Sequence, residues 1–445
     1  MQEQQRTAAQ SNGLLVGVDD KISVGKAFLL GLQHVLAMDL YIAPIIIASL
    51  LGLSGGDTSF FIQMCFLATG IGTLIQTGIF MRLPVVQGPS YIPIGAMAAI
   101  GSKLGLAAMT GSLLPGALLI SILGWPLKWF AKVVRKVIPP IVGGTVIMVV
   151  GVTLIPSAMN SIFTAPGNLG DNVVVAGASA AVLVICMLFG SKLKRGGTLF
   201  RLLSVILAII VGTIVASIYG KVDLSPVKGA DWFKLPELFP FGKPTFDLSA
   251  VITMAIVYLI VLIETTGTWF VVSSVTGSEL TEKRLNRGAL GEGLGCFVGS
   301  AFGGSPMTGY SSNAGLIAVT GVGSRMAIMA GGVILLALGF MPKLSVLITC
   351  IPDAVINGIF AIVCVAILMN GMKVIQPLKI DDRNMMIVGI PIALTLGLTV
   401  FPKDVLNTLP DIVNYILSSG TAVGAIAALV LNLIIPKGKE EKSED

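Results

Sequence analysis

Charge is scarce in this chain. Asp, Glu, Lys and Arg make up 12% of its 445 residues against 54% hydrophobic ones, too few to coat one enclosed core, so the apolar segments must face lipid. A single histidine and scattered cysteines argue against a metal cluster or a nucleophile–base pair, and a membrane-embedded enzyme would need one or the other. The five cysteines, Cys65, Cys186, Cys296, Cys350 and Cys364, lie in or beside apolar runs without metal-ligand spacing and read as small buried hydrophobes. No metal and no other cofactor is expected. The first two dozen residues are mostly polar, include Asp19 and Asp20, and contain no apolar run ending in a small-residue cleavage site, so no cleaved signal peptide is expected. The net charge of +6 comes from Lys and Arg clustered between apolar runs, a signal of membrane topology and not of nucleic-acid binding.

What the chain does have is hydrocarbon in pieces of bilayer length. A spanning helix needs about 17 to 25 apolar residues, and about fourteen such runs can be read, near 25–51, 59–81, 84–102, 111–127, 138–158, 172–190, 199–219, 248–275, 286–302, 305–321, 324–342, 351–372, 384–401 and 418–436. If both termini are cytoplasmic, 22 of the 29 Lys and Arg fall on the inner side and 7 on the outer, the bias that orients such proteins. The expectation is an all-α, multi-pass protein of the cell (inner or plasma) membrane, with the lipid bilayer as its surroundings.

The two halves repeat weakly. Val137-Ile-Pro-Pro-Ile-Val142 opens the fifth run and Cys350-Ile-Pro-Asp-Ala-Val355 opens the twelfth. Gln87-Gly-Pro-Ser-Tyr-Ile-Pro93 in the third run is matched by a Gly/Pro/Ser-rich stretch, 303–312, in the tenth. Seven spans per half is an odd number, so the second half enters from the opposite side as an inverted repeat, and the paired broken segments meet near the midplane. Glycine, proline and clustered Ser, Thr and Asn from Gly303 to Arg325 leave backbone groups that the bilayer tolerates only inside protein or beside a watery cavity.

Polar groups at membrane depth are the functional candidates. Glu264 follows a long apolar run in the eighth span, where a carboxylate costs several kcal/mol to insert. Glu292 sits among glycines in Gly291-Glu-Gly-Leu-Gly295 and fits a helix-tying role as well as a functional one. His34, after Gln33 in the first span, is more readily a structural histidine than a proton carrier. Tyr91 offers a ring face for a flat ligand or ordinary packing. Ser311, Ser312 and Asn313 supply hydrogen bonds where the tenth span breaks, to a ligand or as caps.

Taken together these residues resemble the nucleobase/ascorbate transporter family, the second family of nucleobase:cation symporters, over nearly the whole chain. The family's signature of a polar residue before Asn-x-Gly-x-x-x-x-Thr, with a later Ser-Arg, is similar to Ser312-Asn313-Ala-Gly315-Leu-Ile-Ala-Val-Thr320-Gly-Val-Gly-Ser324-Arg325. Gln33-His34 resembles its Gln-His pair, and Glu264-Thr265-Thr266-Gly267 is closer to the Glu-Ser-Thr-Gly of the xanthine and urate branch than to the uracil branch. The resemblance implies fourteen spans as a 7+7 inverted repeat, with short extended strands in spans 3 and 10. It also implies a core of residues 25–135 and 248–343 and a gate of 136–247 and 344–436, between cytoplasmic tails 1–24 and 437–445. A homodimer, elevator-like alternating access and uptake of a purine such as xanthine or uric acid with a proton, or with sodium, are further implications. By position, Glu264, Tyr91, Ser311 and Ser312 would bind the base, Asn313 would hold the broken segment, and Glu292, Gln33 and His34 would serve coupling or structure. Two residues depart from the pattern. Ser312 stands where the family usually has Gln or Glu, and Thr268 where it usually has Asp or His tied to proton coupling. Alternatives are a carrier of uracil or another nucleobase-like ligand, and an anion transporter of the same fold. The carboxylate of Glu264 argues against the second, since it repels an anion.

Overall fold

The computed structural model describes residues 14–36, 38, 40–192, 203–406 and 408–436. The expected tail 437–445, most of the expected tail 1–24 and Asp39 of the first span lie outside the described residues. Apart from one short sheet, the described regular elements are helical. Among the described residues six helices, Gly55–Phe80, Leu106–Gly124, Pro140–Thr164, Leu169–Phe189, Leu248–Thr276 and Asp353–Ile375, are long and apolar enough to cross a bilayer. The count reaches eight if two bent pairs, Arg325–Leu338 with Pro342–Thr349 and Asp411–Leu417 with Gly420–Ile434, each make one span.

Of the remaining apolar runs, the first, third and tenth are interrupted, each for a visible reason. The first is not continuous over 25–51, because helix Val24–Leu36 stops and a new helix begins at Ile42. Pro44 sits in the first turn of that second helix, where its missing N–H costs nothing and where it bars helical continuation from upstream. In the third and tenth runs the Pro- and Gly-containing segments form strand β1, Gln87–Pro89, and strand β2, Met307–Gly309, each followed by a short helix, Ile94–Leu104 and Ser312–Thr320. β1 and β2 pair antiparallel with Gln87 opposite Gly309 and Pro89 opposite Met307. Gly88 has to be glycine here, since a Cβ would strike the Tyr310 ring and Leu40.

The helices pack in two groups. In one, Leu106–Gly124 lies against Glu282–Ala301 and Leu248–Thr276, and Val24–Leu36 and Gly55–Thr73 lie against Arg325–Leu338. In the other, Pro140–Thr164 packs along Asp353–Ile375, flanked by Leu169–Lys192, Asp382–Thr399 and Gly420–Ile434. Close approach relies on small residues, as between membrane helices generally. A Cβ on Gly31 would lie 2.5 Å from the backbone nitrogen of Gly331. The groups meet where Leu248–Thr276 crosses Pro140–Thr164, with Gly267 facing Gly143.

The segment before the first helix is attached to the rest of the molecule and is not a free tail over residues 14–20. Leu15 N–H donates to the Gly321 carbonyl (2.7 Å), Gly323 N–H to Val16 (2.9 Å) and Arg325 N–H to Val18 (3.0 Å). Arg325 also pairs with Asp19. The strap thus closes over the link between Ser312–Thr320 and Arg325–Leu338.

Candidate functional site

The paired strands solve a problem that broken membrane helices create, which is that their outward backbone groups need partners where no water is at hand. Surrounding helices supply them. Thr73 Oγ1 accepts from Gln87 N–H at 3.0 Å, and Cys296 Sγ accepts from Met307 N–H at 3.3 Å. Gly309 is held at both ends by one helix, because Thr265 Oγ1 accepts its N–H at 2.9 Å and Thr268 Oγ1 donates to its carbonyl at 2.8 Å. The two threonines are three residues apart, so they lie on one face of the helix. Thr268 therefore has a structural partner in β2, a role the sequence did not reveal.

On the same helix, directly before Thr265 and one turn before Thr268, the Glu264 carboxylate is buried and accepts a hydrogen bond from Ser90 Oγ at 2.8 Å. Ser90 directly follows β1 and its N–H donates to the Pro306 carbonyl at 2.8 Å, which ties the hydroxyl to the sheet. Thr308 of β2 also stands beside the carboxylate. Tyr310, after β2, donates its hydroxyl to the Pro89 carbonyl at 2.9 Å, and Tyr91 stacks on Phe360, with centroids 5.6 Å apart and planes at 24°. Glu264, Thr308, Tyr310 and Tyr91 line a cavity of about 220 Å³. Its wall on one side is Tyr91, Glu264, Thr268 and the run Thr308–Ser312, and on the other it is mostly apolar, from helices Pro140–Thr164, Leu169–Lys192, Ser204–Ile218 and Asp353–Ile375, with Ser204 and Asn370 as polar exceptions. Asn370 Nδ2 reaches Ser311 Oγ at 3.4 Å.

Of the residues singled out in the sequence, Glu264, Tyr91, Ser311, Ser312 and Thr268 line this cavity. Asn313 does not line it; its Nδ2 donates to the Pro84 carbonyl, bracing the approach to β1 from the start of the helix after β2. His34 is buried next to Asn313, and Gln33 beside it is partly exposed. Glu292 is buried outside the cavity lining and accepts from Gln76 Nε2 at 2.7 Å, while that nitrogen also donates to the Gly288 carbonyl at 2.9 Å. Sequence reasoning missed Ser90, Thr308, Tyr310 and Asn370. Ser90 and Tyr310 adjoin motifs already noticed, but only the strand pairing shows which way they turn. Asn370 had no signal at all.

Such a site, a polar pocket at the ends of two half-helices within a bundle of apolar helices, is the architecture of a membrane transporter. The fold agrees. The transmembrane domain of the cyanobacterial bicarbonate transporter BicA superposes with a TM-score of 0.59 at 15% identity, over 93% of this chain and 99% of that one. The murine Slc26a9 anion transporter in its inward-facing state gives 0.60 at 14% identity, over 93% and 69%. In sequence, the chain belongs to the Permease family whose model, Xan_ur_permease, matches residues 25–404. The uric acid permease PucK of Bacillus subtilis is 33% identical over 94% of this chain and 97% of its own length. The xanthine permease of the same organism is 32% identical over 92% and 94%, and its uracil permease 31% identical over 93% of each. The protein is thus a multi-pass membrane permease and not an enzyme.

Proposed function

We propose that the protein imports a nucleobase, a purine such as xanthine or uric acid, and that Glu264 accepts N–H donors of the base. The observation that carries this reading is the buried carboxylate of Glu264, fixed by Ser90 in the wall of a cavity that Tyr91 and Tyr310 also line. A flat, N–H-rich heterocycle suits a carboxylate acceptor beside aromatic faces. Relatives carrying xanthine, uric acid and uracil support the ligand class. An anion of the bicarbonate kind would meet a carboxylate in the site, which disfavours that reading. Fourteen spans in two inverted halves, with the β1 and β2 helix group as the moving core and the other group as the gate, give the proposed architecture. The transport unit is proposed to be a homodimer with cytoplasmic termini.

Drive is proposed to come from protons, with Glu264 as the group that exchanges one as substrate binds and Glu292 and His34 as secondary candidates. Thr268, which cannot titrate, takes no part. Uptake of radiolabelled xanthine, uric acid and uracil into vesicles, with bicarbonate and sulfate as competitors, tests the ligand class directly. Xanthine or uric acid is expected to accumulate, and accumulation to collapse with a protonophore. Unchanged accumulation under the protonophore, or an absolute need for sodium, would remove the proton from the mechanism.

A further inference from the structure

The eight-residue helix Phe130–Val137 joins Leu106–Gly124 to Pro140–Thr164 and has two unlike faces. Inward, Phe130, Ala131 and Val134 are buried. The Phe130 ring meets Trp269 edge-on with centroids 6.2 Å apart, and Ala131 N–H donates to Asn286 Oδ1 at 2.9 Å. At the other end Asn432 Nδ2 donates to the Val137 carbonyl at 3.4 Å. The helix is therefore pinned to members of both helix groups and cannot turn its outer face inward.

That outer face carries Trp129 and Val133, one turn apart and 56% and 41% exposed, with Trp125 (60%) and Leu127 just ahead of them. Beside this apolar stripe run Lys128, Lys132 and Lys136 at four-residue spacing, all exposed. No Asp or Glu occurs between Asp57 and Asp171, so the segment supplies no acid of its own to these lysines. Among the described residues none of the three forms an ion pair. Exposed tryptophans next to a row of unneutralised lysines suit a helix lying in the membrane surface, with its apolar stripe sunk to the acyl boundary and the ammonium groups at headgroup level.

We propose that the segment Trp125–Lys136 is a binding site for anionic lipid headgroups. Each lysine at an anionic surface is worth roughly fivefold in affinity, so three together make a selective site. The inference is independent of which substrate the permease carries.

The test uses full-length protein carrying Trp232→Phe, reconstituted in phosphatidylcholine vesicles that contain a minor fraction of brominated phosphatidylglycerol or brominated phosphatidylcholine. Bromine quenches the indoles it touches, and Trp269 is buried and common to every sample. Brominated phosphatidylglycerol is expected to quench several-fold more steeply than the zwitterionic lipid. Lys128→Gln/Lys132→Gln/Lys136→Gln should erase that preference, and the corresponding triple Arg variant should keep it. If the Gln variant fails to fold, the same preference measured in wild type at about 1 M salt, where the screening length is about 3 Å, should disappear. Equal quenching by the two lipids, no quenching by either, or a preference that survives the charge removal or the salt would each overturn the site.

Discussion

Glu264 and Ser312 both line the cavity, and they make different demands on an experiment. For Glu264 the expectation is that Glu264→Gln abolishes uptake while the protein still reaches the membrane, because the amide keeps the shape but loses the acceptor charge that the bilayer penalises. Near wild-type uptake in that variant would take Glu264 out of the mechanism. For Ser312 the short side chain leaves room where a longer one would pair with the edge of the base, and a site that loses one hydrogen-bonding group discriminates less. Ser312→Gln should therefore narrow the accepted bases towards xanthine-like ligands, with Glu264 still required. A competition profile identical to wild type at equal expression would show that position 312 does not face the ligand. Thr268 belongs with the fold: Thr268→Val leaves the buried Gly309 carbonyl without its 2.8 Å partner, a loss of about 1 to 3 kcal/mol. Thermal denaturation of the purified variant should show it, with Thr268→Ser close to wild type.

At the scale of elements, the breaks in the third and tenth runs were legible because Gly88-Pro89 and Gly303–Pro306 cannot continue a helix. Which residues those breaks would turn towards Glu264 was not. Ser90 and Glu264 are 174 positions apart, and no local pattern links them. The break before Pro44 was legible in principle, but the apolar residues on both sides conceal it in a hydropathy reading. Asn313, whose place in the motif suggested a hold on the broken segment as well as a ligand contact, spends its amide nitrogen on the Pro84 carbonyl. The strap at residues 14–20 had no sequence signal, being fixed through backbone hydrogen bonds to 321–325. Each such bond contributes about 0.5 to 1.5 kcal/mol. Removing residues 1–20 should therefore raise amide exchange in 321–325 by tenfold or more, and unchanged exchange there would mean that the strap holds nothing in place.

At the scale of the whole molecule, alternating access requires one helix group to move against the other, and the packing shows where resistance would be least. Helix Leu248–Thr276, which carries Glu264, meets Pro140–Thr164 through Gly267 and Gly143, and a Cβ on Gly143 would lie 3.6 Å from the Gly267 Cα. No side chain of either glycine interlocks at that point, whereas within the second group Pro140–Thr164 and Asp353–Ile375 are fitted together along their length. A smooth contact between groups and an interlocked one inside each is what the proposed moving core against a static gate would need. The approach is close enough for a disulfide. With Cys65, Cys186, Cys296, Cys350 and Cys364 replaced, the pair Gly143→Cys/Gly267→Cys should transport when reduced, lose uptake as the disulfide forms, and recover on reduction. The single variants should be indifferent to the oxidant. Uptake that continues in fully cross-linked protein would mean that these two helices do not move past one another during transport, and the division into core and gate would have to be drawn elsewhere.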